Sequence, residues 1–276
     1  MQPEYERNAQ IFMCYCNKRT PSDSDYSIAQ AVLRHTRDML ELSQEELAEE
    51  SHVSEASVSR FFKRSGFHSF WNFKTQMTRF LTERRLNKTK EYLREYHEME
   101  EKEITGLLAD RAERNLNATR KNLDFEKLGR IVQKIRQAKT VYFVGDIRDV
   151  YCFYSMQMDL MSRDKTTYLY IINNNGTLNT EIPMDEHTLI CLLSVNIVWY
   201  EKEMLEICRR AEEKHASVVV LAQDEQPQEM KADEYYRYGI AGTANDGYYS
   251  MPLLAEILRK LMYRDESGMH PTTFKL

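Results

Sequence analysis

The sequence lacks a long apolar segment. Nowhere in its 276 residues does an apolar stretch approach the roughly 20 residues that a membrane-spanning helix requires. Residues 1–20 begin with acidic side chains and hold only a short apolar patch, unlike a secretory signal. These two absences predict a cytoplasmic protein without a membrane partner.

Paired cysteines are missing as well. The five cysteines are odd in number and scattered along the chain. Cys14 and Cys16 could form half of a metal site, but no other Cys/His pair lies at the spacing of a partner. Free thiols in a reducing compartment are the default for such a pattern. We therefore predict neither a metal ion nor a cofactor.

Acidic residues are nearly absent from one segment of a chain whose net charge is −5. Between Ser57 and Lys90, nine basic residues accompany a single acid, Glu83. Residues 41–55, just before this segment, instead carry six glutamates. Charge blocks are often only solvated helix faces, so the function of this one depends on the pattern around it.

Two short capped helices lie at the start of the basic segment. Ser43 is a predicted N-cap, and Glu46 completes a capping box with it. Ser54 is the predicted N-cap of the next helix, which Gly66 is placed to end. The predicted elements of this part are a polar lead-in over residues 1–23 and helices over 25–40, 43–50, 55–64 and 67–81.

Beyond residue 120 the pattern changes to short apolar runs separated by helical stretches. Strands that alternate with helices predict a doubly wound, mostly parallel five-stranded sheet with both faces covered. The predicted domains are a helical bundle over residues 1–96, a charged helical linker over 97–120 and an α/β domain over 121–276. Strands are predicted over residues 140–145, 166–172, 187–195, 217–223 and 235–242, with helices over 150–163, 199–214 and 248–263.

Two capped helices joined by a short turn are typical of a helix-turn-helix, whose second helix lies in the major groove of DNA. Hydroxyls and arginines on that helix reach base edges and phosphates. Basic residues that follow it add salt-dependent affinity. A helical hairpin that binds no nucleic acid is the alternative. We predict DNA contacts from Ser43, Ser54, Glu55, Ser57, Ser59, Arg60, Lys63 and Arg64, and bundle-facing positions at Val53, Ala56, Val58, Phe61 and Phe62.

Five dipeptides occur across these helices in a distinctive order and spacing. They are Leu47-Ala48, Val53-Ser54, Ser57-Val58, Arg60-Phe61 and Gly66-Phe67. Residues 25–95 thereby resemble the N-terminal domain of the RpiR family of bacterial transcriptional regulators. In that family the second domain is a SIS (sugar isomerase) domain that senses phosphosugars. The resemblance implies a SIS-like three-layer sandwich with a five-stranded sheet in the second half of this chain.

The resemblance also implies two phosphate-binding loops, and this sequence departs from both. Small residues normally let backbone N–H groups approach the phosphate. Here acidic side chains follow the first strand, where they would repel a phosphate unless a cation intervened. A conventional phosphosugar, an altered small ligand and no ligand at all remain open. The candidate ligand contacts are Gly145, Arg148, Asp149, Ser194, Asn196 and Trp199, beside the further carboxylate of Asp146.

These features predict a dimeric DNA-binding regulator of bacterial, sugar-related metabolism. We expect a homodimer or higher homo-oligomer to bind a double-stranded operator, and carbohydrate-derivative binding to act through the linker. One alternative makes the SIS-like domain a ligand-free dimerisation module. The other, a sugar-phosphate isomerase, lacks a well-placed base, since His187 and His215 precede strands and His270 lies in the tail. We predict no catalytic residue and no enzymatic activity.

Overall fold

The computed structural model describes residues 4–17, 23–174, 177–178, 181–195, 200–241 and 247–264. The chain divides into two compact units, one of residues 1–101 with 173–179 and one of residues 102–172 with 180–276. Within the described residues, no helix combines the length and apolarity needed to span a membrane.

The first unit is helical and confirms the predicted caps. Ser43 and Glu46 form both hydrogen bonds of the capping box, and the Ser54 side chain accepts a hydrogen bond from the Ser57 backbone. Gly66, with φ of 93°, follows the second of these helices. The helices are α1 (Glu4–Asn17), α2 (Ser24–Arg34), α3 (Gln44–Glu50), α4 (Glu55–Arg64) and α5 (Phe70–Glu95).

Helix α1 differs from the polar lead-in that the sequence suggested. Ala9 and Phe12 are fully buried, and the Phe12 ring lies 6.1 Å from Phe61 and 4.7 Å from Phe73. Apolar residues that recur at a spacing of three or four place one face of α1 in the core. The first helix therefore completes the aromatic core of the unit.

Two other helices have different bounds from those predicted. Helix α2 ends at Arg34 rather than near Leu40, because the His35 N–H turns back to the Val32 carbonyl. Helix α5 continues to Glu95, well past the predicted end at Leu81. Its added part is polar and exposed, so apolar periodicity could not reveal it.

The second unit is an α/β domain. Its helices are α6 (Glu101–Lys121), α7 (Phe125–Gln137), α8 (Ile147–Tyr151), α9 (Tyr154–Met161), α10 (Glu201–Glu213) and α11 (Ser250–Arg264). Strands of the main sheet are β1 (Thr140–Gly145), β2 (Thr166–Ile171), β5 (Thr188–Ser194), β6 (Ser217–Ala222) and β7 (Glu234–Arg237). The short strands β3 (Asn173–Asn174) and β4 (Thr177–Leu178) pair with each other and belong to the first unit. The helix predicted over 150–163 is divided into α8 and α9.

The five-stranded sheet has the order β2-β1-β5-β6-β7, and every pairing in it is parallel. Residues of α7, α9 and α11 belong to the core on one face, and residues of α10 to the core on the other. All seven residues of the central strand β5 are buried. The predicted fold class, a helical bundle followed by a three-layer α/β sandwich with a five-stranded sheet, is confirmed.

Helix α6 occupies the segment predicted to be a linker, and buried polar residues fix it within the second unit. Asn115 and Thr119 are almost fully buried, and the Ser250 hydroxyl donates a hydrogen bond to the Asn115 side chain. A Cβ added at Gly239, whose φ is +65°, would lie 2.6 Å from the Asn115 side-chain oxygen. The absence of a side chain at Gly239 therefore makes room for α6.

Gly145 is required by the packing of β1 against β5. A Cβ at this position would lie 2.4 Å from the backbone oxygen of Leu193. We expect Gly145→Ala to lower the free energy of unfolding by about 1–3 kcal/mol, because a backbone atom cannot move aside as a side chain can. Urea unfolding of the full-length chain, followed by circular dichroism, measures the change.

Gly129 on α7 provides a matched control, since a Cβ there has no neighbour within 4 Å. Gly129→Ala should raise the stability by about 0.5–1 kcal/mol through helix propensity. Equal effects of the two substitutions would contradict the close approach of β1 and β5.

Candidate nucleic-acid interface and ligand site

The turn between α3 and α4 is held by both backbone and side-chain hydrogen bonds. The Val53 N–H donates to the Ala48 carbonyl over 3.0 Å, and His52 takes the left-handed conformation with φ of 55°. From α3, the Gln44 amide donates over 3.1 Å to both the Glu55 carbonyl and the Ser59 hydroxyl. The two helices therefore have a fixed relative orientation.

Helix α4 has one buried face and one exposed face. Val58, Phe61 and Phe62 are fully buried, as predicted, and Val53 is partly buried. Ala56 was expected to face the bundle but is exposed. Glu55, Arg60 and Lys63 are exposed with it, and Ser57 and Ser59 are partly so. The exposed face thus combines a methyl group, hydroxyls, one carboxylate and two cations.

Hydroxyl groups at the start of α4 orient an arginine. The Ser54 and Ser57 hydroxyls lie 3.0 Å apart, and the Arg60 guanidinium donates to the Ser57 hydroxyl over 3.0 Å. Because the guanidinium is positioned in advance, less conformational entropy is lost when it binds a further acceptor. The Ser43 hydroxyl accepts from the Glu46 N–H over 3.0 Å as the cap of α3.

Arg64 and Lys74, two cations of the basic segment, form hydrogen bonds with other residues of the first unit. Arg64 donates to the buried carboxylate of Asp25 in a two-pronged contact, one arm of which measures 3.2 Å, and this contact raises the pKa of Arg64. Lys74 is buried and donates to the Leu40 and Leu42 carbonyls over 3.0 and 2.8 Å. Lys74 is therefore not an exposed phosphate contact, whereas Arg64 keeps about half of its side chain exposed (48%) and its DNA contact stays a prediction.

In the second unit, the predicted ligand residues gather where strands of the sheet end. Asp146 follows β1 and caps α8 by accepting from the Arg148 N–H over 3.0 Å. The Arg148 guanidinium also lies 3.4 Å from Asp146 and 3.9 Å from the centre of the Tyr248 ring. Arg148 is thereby held between a carboxylate and an aromatic face, with half of its side chain exposed.

Asp149 links α8 to the end of β5. One carboxylate oxygen, Oδ2, accepts from the Val195 N–H over 3.3 Å. Burial raises the pKa of Asp149 to about 7, and the nearby charge of Asp146 contributes to the shift. Asp146 in turn accepts from the Tyr200 hydroxyl over 3.2 Å. The two aspartates therefore hold Val195 and Tyr200, which begin and end the segment between β5 and α10.

The remaining predicted ligand residues have different surroundings. Ser194 is buried at the end of β5, and Gly145 is explained by its contact with Leu193. Asn196 and Trp199 lie outside the described residues, so their roles stay predictions. Tyr238 and Tyr248 were missed by sequence reasoning because they come from distant parts of the chain.

Comparison with known proteins finds one matching domain model and one curated relative. Residues 16–83 match the model of the helix-turn-helix domain of the rpiR family. An uncharacterized HTH-type transcriptional regulator from Clostridium perfringens is 22% identical over 192 residues, which cover 68% of this chain. The match spans 66% of that relative, just under two thirds of its length.

Two solved structures are similar to this chain at low sequence identity. The NanR protein of Vibrio vulnificus, complexed with ManNAc-6P, is 16% identical with a TM-score of 0.49 and coverage of 96% of this chain and 93% of that one. The sugar isomerase domain of an RpiR transcription factor from Sphaerobacter thermophilus is 16% identical, with a TM-score of 0.47 and coverage of 59% and 92%. At these scores the likeness supports no functional argument.

The matched segment contains the capped helices, the fixed turn and the exposed Arg60 described above. It covers α2, α3 and α4 completely and extends into α5. Residues 16–83 are therefore similar to the helix-turn-helix domain of the rpiR family.

Proposed function

We propose that the chain reads an operator with α4 and responds to a small ligand through its second unit. The observation that best supports DNA reading is the arrangement of α3 and α4. Their caps and the Gln44 contacts fix the turn, while the Ser57 hydroxyl orients Arg60 on the exposed face of α4. A recognition helix held in this way can enter the major groove without reorganising.

The exposed face of α4 offers complementary chemistry to base edges. Arg60 suits the paired acceptors of guanine, and the Ala56 methyl suits the methyl group of thymine. Lys63, in the last turn of α4, suits a phosphate. Ser54 serves as the N-cap of α4 and the Ser57 hydroxyl as the acceptor for Arg60, and both hydroxyls can still contact the phosphate backbone.

We further propose that the regulator acts as a homodimer on a palindromic operator. Two-fold symmetric proteins place two recognition helices on half-sites one helical turn apart. Helix α6 begins at the boundary of the two units and is anchored in the second by Asn115. That position suits α6 to transmit the state of the second unit to the DNA-binding unit.

One observation favours a second candidate, a sugar-phosphate isomerase. A buried carboxylate with a pKa of about 7, as at Asp149, has the acidity of a general base. That same carboxylate is engaged by the Val195 N–H, and the family supports a regulator. Turnover of hexose and pentose phosphates, followed by NMR, would favour the enzyme over the regulator.

Arg60→Ala should weaken binding to the operator by roughly 1–3 kcal/mol, because a base contact of this kind discriminates by that amount. The operator can be obtained by selecting random duplexes with the full-length protein, and affinity measured by fluorescence anisotropy. Arg209→Ala on α10 removes an equal charge from an exposed arginine and should leave affinity unchanged. Equal losses for both variants would argue against reading by α4.

Lys63 and Arg64 are adjacent cations for which we expect opposite outcomes. Lys63→Ala should reduce the salt dependence of operator binding by about one phosphate contact, a slope change of about 0.9, with little effect on stability. Arg64→Ala should lower stability by roughly 1–3 kcal/mol, because it leaves the buried Asp25 carboxylate without its guanidinium. Salt titrations and thermal unfolding separate the two effects. A larger loss of stability for Lys63→Ala would contradict this assignment.

A further inference from the structure

The order of the sheet reverses between β1 and β5. The chain passes from β1 to β2 on one side and returns to the other side of β1 with β5. In doubly wound sheets, ligands bind at the carboxyl ends of the strands at such a point. Asp149 lies there, since it follows β1 and accepts from the Val195 N–H directly after β5.

Two buried polar atoms at this edge have no hydrogen-bond partner among the described residues. They are the second carboxylate oxygen of Asp149, Oδ1, and the hydroxyl of Tyr238. Asp149 is 4% exposed and Tyr238 is 2% exposed. Burial raises the pKa of Tyr238 well above its usual value, and the charge of Asp149 adds to the effect. The two side chains therefore lie within electrostatic reach of each other.

The unpartnered oxygen of Asp149 can accept a hydrogen bond from a ligand. Buried polar groups are nearly always hydrogen-bonded, because an unpaired one has lost its hydration without compensation. Asp149 uses Oδ2 for Val195 and leaves Oδ1 for a donor that the described part of the chain does not supply.

The charges at this edge select against phosphate. Asp146 and Asp149 contribute two carboxylates, while Arg148 contributes one guanidinium, whose Nε pairs with Asp146 and whose plane lies over the Tyr248 ring. A phosphate dianion would add negative charge beside a buried carboxylate. An ammonium group instead supplies both the missing hydrogen-bond donor and a compensating charge.

From this geometry we infer that the second unit binds a non-phosphorylated amino sugar, or a similar amine-bearing polyol, whose ammonium group donates to Asp149 Oδ1. The Tyr238 hydroxyl then bonds to a neighbouring hydroxyl of the same ligand. This inference rests on the proposed function, in which the second unit responds to a small ligand, and it names the chemistry of that ligand.

The test compares three matched sets of probes on the full-length protein. D-Glucosamine, D-galactosamine and D-mannosamine are each measured beside the parent hexose and the hexose 6-phosphate, by thermal unfolding. We expect at least one hexosamine to raise the midpoint by roughly 5 °C or more at saturation, with smaller shifts for its two counterparts. A larger shift with a hexose 6-phosphate, equal shifts with the parent hexose, or no shift with any probe would overturn the inference.

Variants identify the group that binds the amine. Asp149→Asn keeps the shape of the side chain but removes its charge, and should lower hexosamine affinity at least tenfold. Asp159→Asn on α9, which weakens an ion pair with Arg259 instead, is the matched control and should bind normally. If Asp149→Asn does not fold, Tyr238→Phe removes only the unpartnered hydroxyl and should lower affinity severalfold. Unchanged affinity in the folded variant would contradict the site.

Operator binding is measured on the same preparations to separate the two hypotheses. Normal operator binding with no response to hexosamines overturns the ligand inference alone. Absence of operator binding under any condition overturns the proposed function instead.

Discussion

The close approach of β1 and β5 at Gly145 determines the chemistry of the second unit. Without a side chain at Gly145, the end of β1 lies against the Leu193 carbonyl. This brings the start of α8 beside the end of β5, so that Asp149 can reach the Val195 N–H. The packing of β1 against β5 is therefore enough to explain why glycine occupies position 145, without a phosphate-binding loop. The chemistry of the edge is set by the aspartates that follow it.

A buried aspartate has a related role in each unit. Asp25 accepts from Arg64 and so fixes the last turn of α4, while Asp149 accepts from Val195 and fixes the end of β5. The difference between them lies in their remaining hydrogen bonds. Both oxygens of Asp25 are engaged by the Arg64 guanidinium, whereas Asp149 keeps one oxygen unpartnered among the described residues. The first arrangement is structural, and the second is the one for which we propose a ligand.

Local signals made most of the architecture predictable, and long-range contacts account for what was missed. The caps at Ser43 and Ser54 and the strand over 140–145 depend on neighbouring residues, and the structure has them where they were predicted. The burial of Lys74 and the exposure of Ala56 depend on which helices pack together, which charge and apolarity along the chain do not encode. Tyr238 comes near Asp149, at the carboxyl ends of the strands, only because β7, which it follows, is a strand of the same sheet. The DNA and ligand roles of individual residues remain predictions.

Helix α6 offers a physical connection from the ligand edge to the boundary of the two units. Tyr238, at that edge, is followed directly by Gly239, whose missing side chain accommodates Asn115 of α6. Asn115 also accepts from Ser250, at the first residue of α11. A ligand changes a regulator only as far as it binds one state better than another. A donor on Asp149 that also engages Tyr238 would favour one placement of Gly239, and hence of α6, which gives the proposed ligand a direct means of shifting that equilibrium.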